Sequence, residues 1–347
     1  MTSRQVLLIA NPRPTHVGAQ LMRAAPASGH QVELIDVEQA FAGPRLLRSL
    51  AWRLLGHRPL RLQAFSREVV RICQQQRPDL LLGTGFVPLT QKSLEQIRQL
   101  GISTGCFLTD DPWNPAAQAP WFMQALCAYD HVFTPRRANE QQLRRLGPHV
   151  IYLPFAYAHE EHFAIPEAEA DVARWGGLVA FIGGADAERA AIMRVLAQAG
   201  LPLGLWGGYW AKQPGLERYA HGHTDMDTFR RVVTHAGVNL CLVRRANRDG
   251  HSMRSFELPA IGGCLLVEDT AEHRELFGIE GESVFYFADD ASLVSQAKRM
   301  LALDKTSRQR LADTVRQRIT QGRHCYRDRL EQMIETAIPT STDLPCC

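Results

Sequence analysis

The chain has 347 residues, 45% of them hydrophobic, and a formal net charge of +3. That suffices for two domains of ordinary size, each with its own core. The charge is too small for a polyelectrolyte, and it is almost all arginine, with lysine only at positions 92, 212, 298 and 305, so no nucleic-acid partner is expected.

In chain order, residues 6–11 (VLLIAN) predict a buried strand, a short apolar run without alternation. A helix near 17–25, a strand at 32–37 and a helical stretch through 44–76, broken near Gly56 and Pro59, follow. Strands are predicted at 79–85, 104–111, 131–135 and 150–155, with helices near 90–99, 117–128 and 136–146 between them. Residues 156–176 lose the pattern, are rich in Ala and Glu, and read as a linker. The alternation restarts with strands at 177–184, 201–208, 238–245, 264–269 and 283–287 and helices at 186–199, 226–237 and 252–261. Residues 290–336 are helical. Strand and helix alternate throughout, which predicts parallel sheets with helices on both faces. The expected organisation is an N-terminal domain at 1–155, a linker at 156–176, a C-terminal domain at 177–337 whose last helix packs back on the first domain, and a flexible tail at 338–347. Two such domains facing a cleft would present their strand C-termini to a ligand.

Cys73, Cys106, Cys127, Cys241, Cys264 and Cys325 are scattered and form no C-x-x-C pair. They read as core thiols in a reducing cytoplasm, not as a zinc or redox motif. Cys346 and Cys347 read as part of the tail. No apolar run approaches ~20 residues, and the first is too short for a signal peptide. A cytoplasmic protein is expected.

The chemistry-bearing residues concentrate in 249–270, DGHSMRSFELPAIGGCLLVEDT. Asp249, Ser252, Met253, Arg254 and Glu257 gather about one helix start. A helix N-terminus offers backbone N–H groups to an anion, and Arg254 adds a bidentate clamp. The two acids can accept sugar hydroxyls, so the set suits a nucleotide sugar. Gly183 and Gly184 follow a strand, with Arg189 one turn into the next helix. A backbone without Cβ there lets phosphate approach, although a plain strand–helix turn reads the same way. Neither a G-x-G-x-x-G nor a P-loop is present.

His221, His223, Asp225 and Asp227 have alternate spacing but no further ligand cluster, so no metal is expected. Thr224 or Asp225 reads as a helix N-cap, and the loop at His223 and Thr224 suits a nucleobase read through backbone groups. Asp110 and Asp111 end the fourth strand before PWNP, where a carboxylate can act as base or bind hydroxyls. His16, in the first strand–helix loop, is a further candidate acid or base. Residues 43–63 set five arginines among leucines and Trp52. Such a helix can lie on an anionic membrane, or pack on the sheet with a solvated Arg face. Trp206, Tyr209 and Trp210 can stack on a ring or anchor a loop.

SMRSFELPAIGGCLLVEDTAEHRELF resembles the signature of the CgeB-like glycosyltransferases, whose C-terminal half is of the group 1 type. YRDRLEQMI resembles that family's C-terminal stretch. The likeness covers 177–335 and is diffuse over 1–155. It implies a GT-B fold of two Rossmann-like domains, and no cofactor other than a nucleotide-sugar co-substrate. The resemblance gives Glu257 the donor ribose and Asp249 the donor sugar, with Asp in place of the family's Glu. It turns Arg189 and Arg254 to the diphosphate, with Gly183 and Ser252 beside it, and His223 and Thr224 to the base. Asp110 stands where many relatives carry His. The implied activity is transfer of a sugar to an acceptor (saccharide, protein, lipid-linked or small molecule), with retention suggested by the acidic pair. A catalytically silent sugar-nucleotide-binding scaffold and a sugar-nucleotide epimerase share the architecture and stand as alternatives.

Overall fold

The computed structural model describes residues 3–338; Cys346, Cys347 and the rest of 339–347 lie outside them. The chain forms two compact units. The first comprises 3–154, 244–249 and 326–338, and the second 155–243 and 250–325.

The first unit holds β1 (Gln5–Ala10), β2 (Gln31–Asp36), β3 (Leu80–Thr84), β4 (Ser103–Phe107), β5 (His131–Thr134) and β6 (His149–Tyr152). They form one sheet in the order β2-β1-β3-β4-β5-β6, parallel throughout, with Val6 opposite Val32 and Leu80. β1 and β3 are nearly all buried, which is why they read as unbroken apolar runs: strands covered on both faces have no solvent side. The helix Leu62–Gln76 buries Leu62, Phe65, Val69 and Cys73, one stripe at helical spacing. Phe65, Val69 and Cys73 meet Leu7, Ile9, Leu81 and Cys106 in the core. The helices Val17–Ser28 and Tyr326–Ala337 pack together, and Ser103 Oγ donates to Ala337 O at 2.9 Å.

The second unit holds β7 (Val179–Ile182), β8 (Leu203–Trp206), β9 (Ala220–Gly222), β10 (Val238–Cys241), β11 (Leu265–Glu268) and β12 (Phe285–Phe287). The order is β12-β11-β10-β7-β8-β9, again parallel. Its core joins Phe181, Leu205, Leu240 and Leu266 to Met193, Leu293 and Met300 from the helices.

Four expectations are corrected. β9 is a three-residue strand that the pattern does not reveal, because it is too short for a period and two of its residues are exposed. β4 ends at Phe107, so Asp110 and Asp111 lie in the following loop. Residues 156–176 are not a free linker: Glu169–Trp175 is a helix, Trp175 is buried, and Asp171 accepts from Arg231 Nε and Nη2 at 2.8 and 2.7 Å. That pairing holds the Asp171 carboxyl below its usual range. Finally, the chain division is discontinuous, since 244–249 groups with the first unit, as does the last helix, whose return to the first domain was expected. Of the six cysteines described, Cys127 alone is exposed.

Candidate functional site

In the second unit, the candidate donor residues assemble at the C-terminal ends of the strands. Gly183 follows β7 and donates its N–H to Trp206 O at 2.8 Å, while Ala185 N–H reaches Gly208 O at 2.9 Å. The indole N–H of Trp210 donates to Gly183 O at 2.7 Å. Gly207 has φ +130°, and a Cβ on it would sit 2.4 Å from Gly183 O. Two glycine pairs therefore meet backbone to backbone, which only residues without side chains permit.

Arg254 opens the helix Arg254–Ile261. Its Nε donates to Ile182 O at 2.9 Å, which sets the guanidinium at the Gly183–Gly184 turn. It also pairs with Glu257 and lies over the Phe229 ring at 4.9 Å. Glu257 is buried and Arg254 half-buried, so the carboxylate holds the cation in place. Arg189 comes to the same turn, donating from Nη1 to Gly184 O at 3.1 Å.

Ser252 and Met253 precede the helix, and Met253 makes no side-chain cap bond. Ser252 N–H donates to Ser255 Oγ at 3.0 Å. Ser255 Oγ lies 2.8 Å from His273 Nε2, and His273 Nδ1 lies 2.7 Å from Glu268 O. A carbonyl only accepts, so Nδ1 carries the proton and Nε2 accepts from the serine hydroxyl. Burial lowers the His273 pKa to about 4, which keeps this tautomer neutral. His251 works similarly: its Nε2 accepts from Phe155 N–H at 3.2 Å, and its Nδ1 meets Glu272 Oε2 at 2.5 Å. Both histidines escape a sequence reading, because nothing local marks their partners.

His223 follows β9, with its ring 3.5 Å from the Cβ position of Gly208. Thr224 follows, and Asp225 caps the helix Met226–His235, accepting from Thr228 N–H at 2.7 Å. His221 stacks on Trp206, centroids 4.5 Å apart at 13°. A cavity of about 240 Å³ is lined by Trp206, His221, His223, Thr224 and Asp225 among others.

The first unit gathers the remaining candidates at its own strand ends, together with 244–249. Asp249 forms an ion pair with Arg136 at 2.5 Å, the two side chains 5% and 1% exposed. Arg136 also donates from Nη2 to Thr109 O at 2.7 Å. Asp111 is paired as well. It is 1% exposed, and its two oxygens receive Arg248 Nε and Nη2 at 2.5 and 3.0 Å. A carboxylate so engaged holds a loop and has little left for a substrate. Asp110 differs: it is half-exposed and accepts from Asn247 Nδ2 at 3.1 Å, with Arg244 at 3.7 Å. Asn114 Nδ2 closes the network on Asn247 Oδ1 at 2.7 Å.

His16 sits exposed at the N-cap of Val17–Ser28 without a side-chain cap bond. Partial desolvation of its ring by the surrounding loop, and then Arg13, lower its pKa, against the opposing charges of Glu38 and Asp110. Asn247 and Arg248 lie in the charge-dense run RRANRD at 244–249, the one local signal for them, and no such signal marks Arg136.

The two six-stranded parallel sheets with flanking helices match GT-B glycosyltransferase structures. Sucrose-phosphate synthase from Thermosynechococcus elongatus superposes with a TM-score of 0.71 at 15% identity, over 96% of this chain and 98% of that one. HepE from Anabaena, solved with UDP-glucose, gives 0.62 at 15% identity over 96% and 99%. A glycosyltransferase from Rickettsia africae gives 0.63 at 8% identity over 97% and 98%. At these identities the likeness is one of fold. A family model described as Glycosyl transferase-like matches residues 189–335, a span that includes Arg189, His223, Arg254 and Glu257. No curated protein matches the chain.

Proposed function

We propose that the chain is a CgeB-like glycosyltransferase that takes a sugar from a nucleotide-sugar donor held by the second unit. The observation that carries this reading is the convergence of Arg254 and Arg189 on the Gly183–Gly184 turn. Two guanidiniums at a turn without side chains, beside a helix start, form an anion site suited to a diphosphate. In transfer, negative charge grows on the departing nucleoside diphosphate, and preorganised cations there stabilise it in the transition state. Glu257, beside Arg254, is the ribose-binding candidate, and the cavity at His223 and Thr224 takes the base. The likeness to HepE, solved with UDP-glucose, supports a nucleotide sugar as co-substrate. Asp110 and His16, at strand ends of the first unit, are the residues assigned to the acceptor hydroxyl; Asp249 and Asp111 hold the loops about them.

Calorimetry against UDP, GDP, dTDP and CDP sugars tests the donor, and each variant is compared with the wild type on the sugar that binds. Arg254→Ala removes a charge-assisted contact to diphosphate and lowers affinity by about 10-fold or more. Asp110→Asn lowers turnover with donor affinity retained. Full donor affinity in Arg254→Ala and Glu257→Ala would sink the proposal. Conversion of the free donor to its sugar epimer would favour an epimerase, and binding without transfer or hydrolysis a silent scaffold.

A further inference from the structure

The helix Arg45–Leu54 carries chemistry that the donor reading leaves unused. It emerges beyond the C-terminal end of β2, after the short turn Val37–Phe41. Among its residues only Ala51 is buried. Leu46, Leu47, Leu50 and Leu54 are between 53% and 85% exposed. At ~100° per residue they fall on one stripe roughly 100° wide. Trp52, also exposed, lies against the His57 ring with centroids 4.4 Å apart and the planes tilted by 35°. A stripe of large exposed leucines on one helix marks an interaction surface.

The charge pattern identifies what covers it. Arg45, Arg48, Arg53, Arg58 and Arg61 surround the stripe, and no acidic residue occurs between Glu38 and Glu68. All five arginines are exposed. A second copy of the chain would set these arginines against their own kind. An anionic bilayer answers both features, with phosphates for the guanidiniums and the acyl boundary for the leucines. We propose that Arg45–Leu54 docks the chain on an anionic lipid surface, lying in the interface plane with its leucine stripe inward. Among the described residues no helix is long and apolar enough to cross a membrane, so the attachment is peripheral. This inference stands apart from the donor reading.

The test is sedimentation of the full chain with vesicles of phosphatidylcholine alone, and of phosphatidylcholine with an equal share of phosphatidylglycerol. The expected result is binding to the anionic vesicles only, weakened when salt rises from about 0.1 to 0.5 M. Each interfacial arginine contributes roughly 5-fold to partitioning, so Arg48→Ala with Arg53→Ala lowers it by about 25-fold. Leu46→Ser, Leu50→Ser and Leu54→Ser together lower it by about 100-fold or more. Because these side chains are exposed, both variants should melt within ~2 °C of wild type. A wild-type chain that stays in the supernatant with anionic vesicles overturns the proposal, as does a leucine variant that binds like wild type. So does a wild-type dimer in size-exclusion chromatography that the leucine variant makes monomeric while vesicle binding is absent.

Discussion

Asp249 offers the sharpest discrimination between a residue that touches the donor and one that holds the fold. Its carboxylate and the Arg136 guanidinium are 2.5 Å apart, and both are almost wholly buried. Replacing Asp249 by Ala takes this buried carboxylate away from the Arg136 guanidinium, which keeps the carbonyl partners Leu108 O at 3.4 Å and Thr109 O at 2.7 Å. Stripping one partner from a buried pair costs about 3–5 kcal/mol. In a unit of this size each kcal/mol lowers Tm by roughly 2–4 °C, so Asp249→Ala should melt ~6–20 °C below wild type. Arg136→Met should do the same. The double variant removes both charges of the pair, and should recover about 2 kcal/mol of the summed loss. Urea unfolding followed by tryptophan fluorescence gives the three differences, and calorimetry on the folded variants gives donor affinity. If Asp249→Ala unfolds like wild type while its donor affinity falls more than ~10-fold, the ion pair is incidental and Asp249 is a ligand of the sugar.

Two further outcomes follow from the second unit. His273 is neutral in the fold, with its pKa lowered by burial from 6.5 to about 4. Its folded pKa lies below the unfolded one, so the unfolded chain takes up the proton first. Its contribution is whole above pH 6.5 and is lost progressively as pH falls towards 4, a loss of about 3 kcal/mol. Unfolding measured at steps across that window should show the decline, and His273→Gln should flatten it; an unchanged slope in the variant would refute the assignment. Gly207→Ala should disturb the glycine turns, because φ is +130° and the new Cβ meets Gly183 O at 2.4 Å. A cost of about 2–4 kcal/mol is expected, with weakened donor binding. Gly222→Ala is the control: φ is +75° with nothing within 4 Å, so only roughly 1 kcal/mol of backbone strain is at stake. Equal melting of the two variants would show that the close approach is unimportant.

The donor half of the candidate site was more legible in the sequence than the rest. Gly183 and Gly184 announce themselves, since a turn from strand to helix at close backbone approach admits little else. Arg254 and Glu257 are three residues apart on one helix, so their meeting follows from helical spacing. Asp110 and its neighbour Asp111 read alike in the sequence, as carboxylates past the end of a strand. What separates them is burial and the reach of Arg248, neither of which a loop sequence displays. The segment 156–176 misled for a related reason. Its Ala- and Glu-rich composition hides Trp175 and Asp171, whose partners lie in a later helix.

The sequence by itself determined the two-sheet parallel architecture. A strand covered on both faces must be apolar throughout, a helix packed on one side must be apolar along one stripe, and both periods survive in a single chain. Tertiary structure alone decided which charges are working groups and which are structural. Asp249 finds Arg136 across 113 residues and Asp111 finds Arg248 across 137. A buried charge must be paired, but the path of the chain chooses the partner, and here it carries 244–249 out of the second unit's sequence and into the first unit's fold.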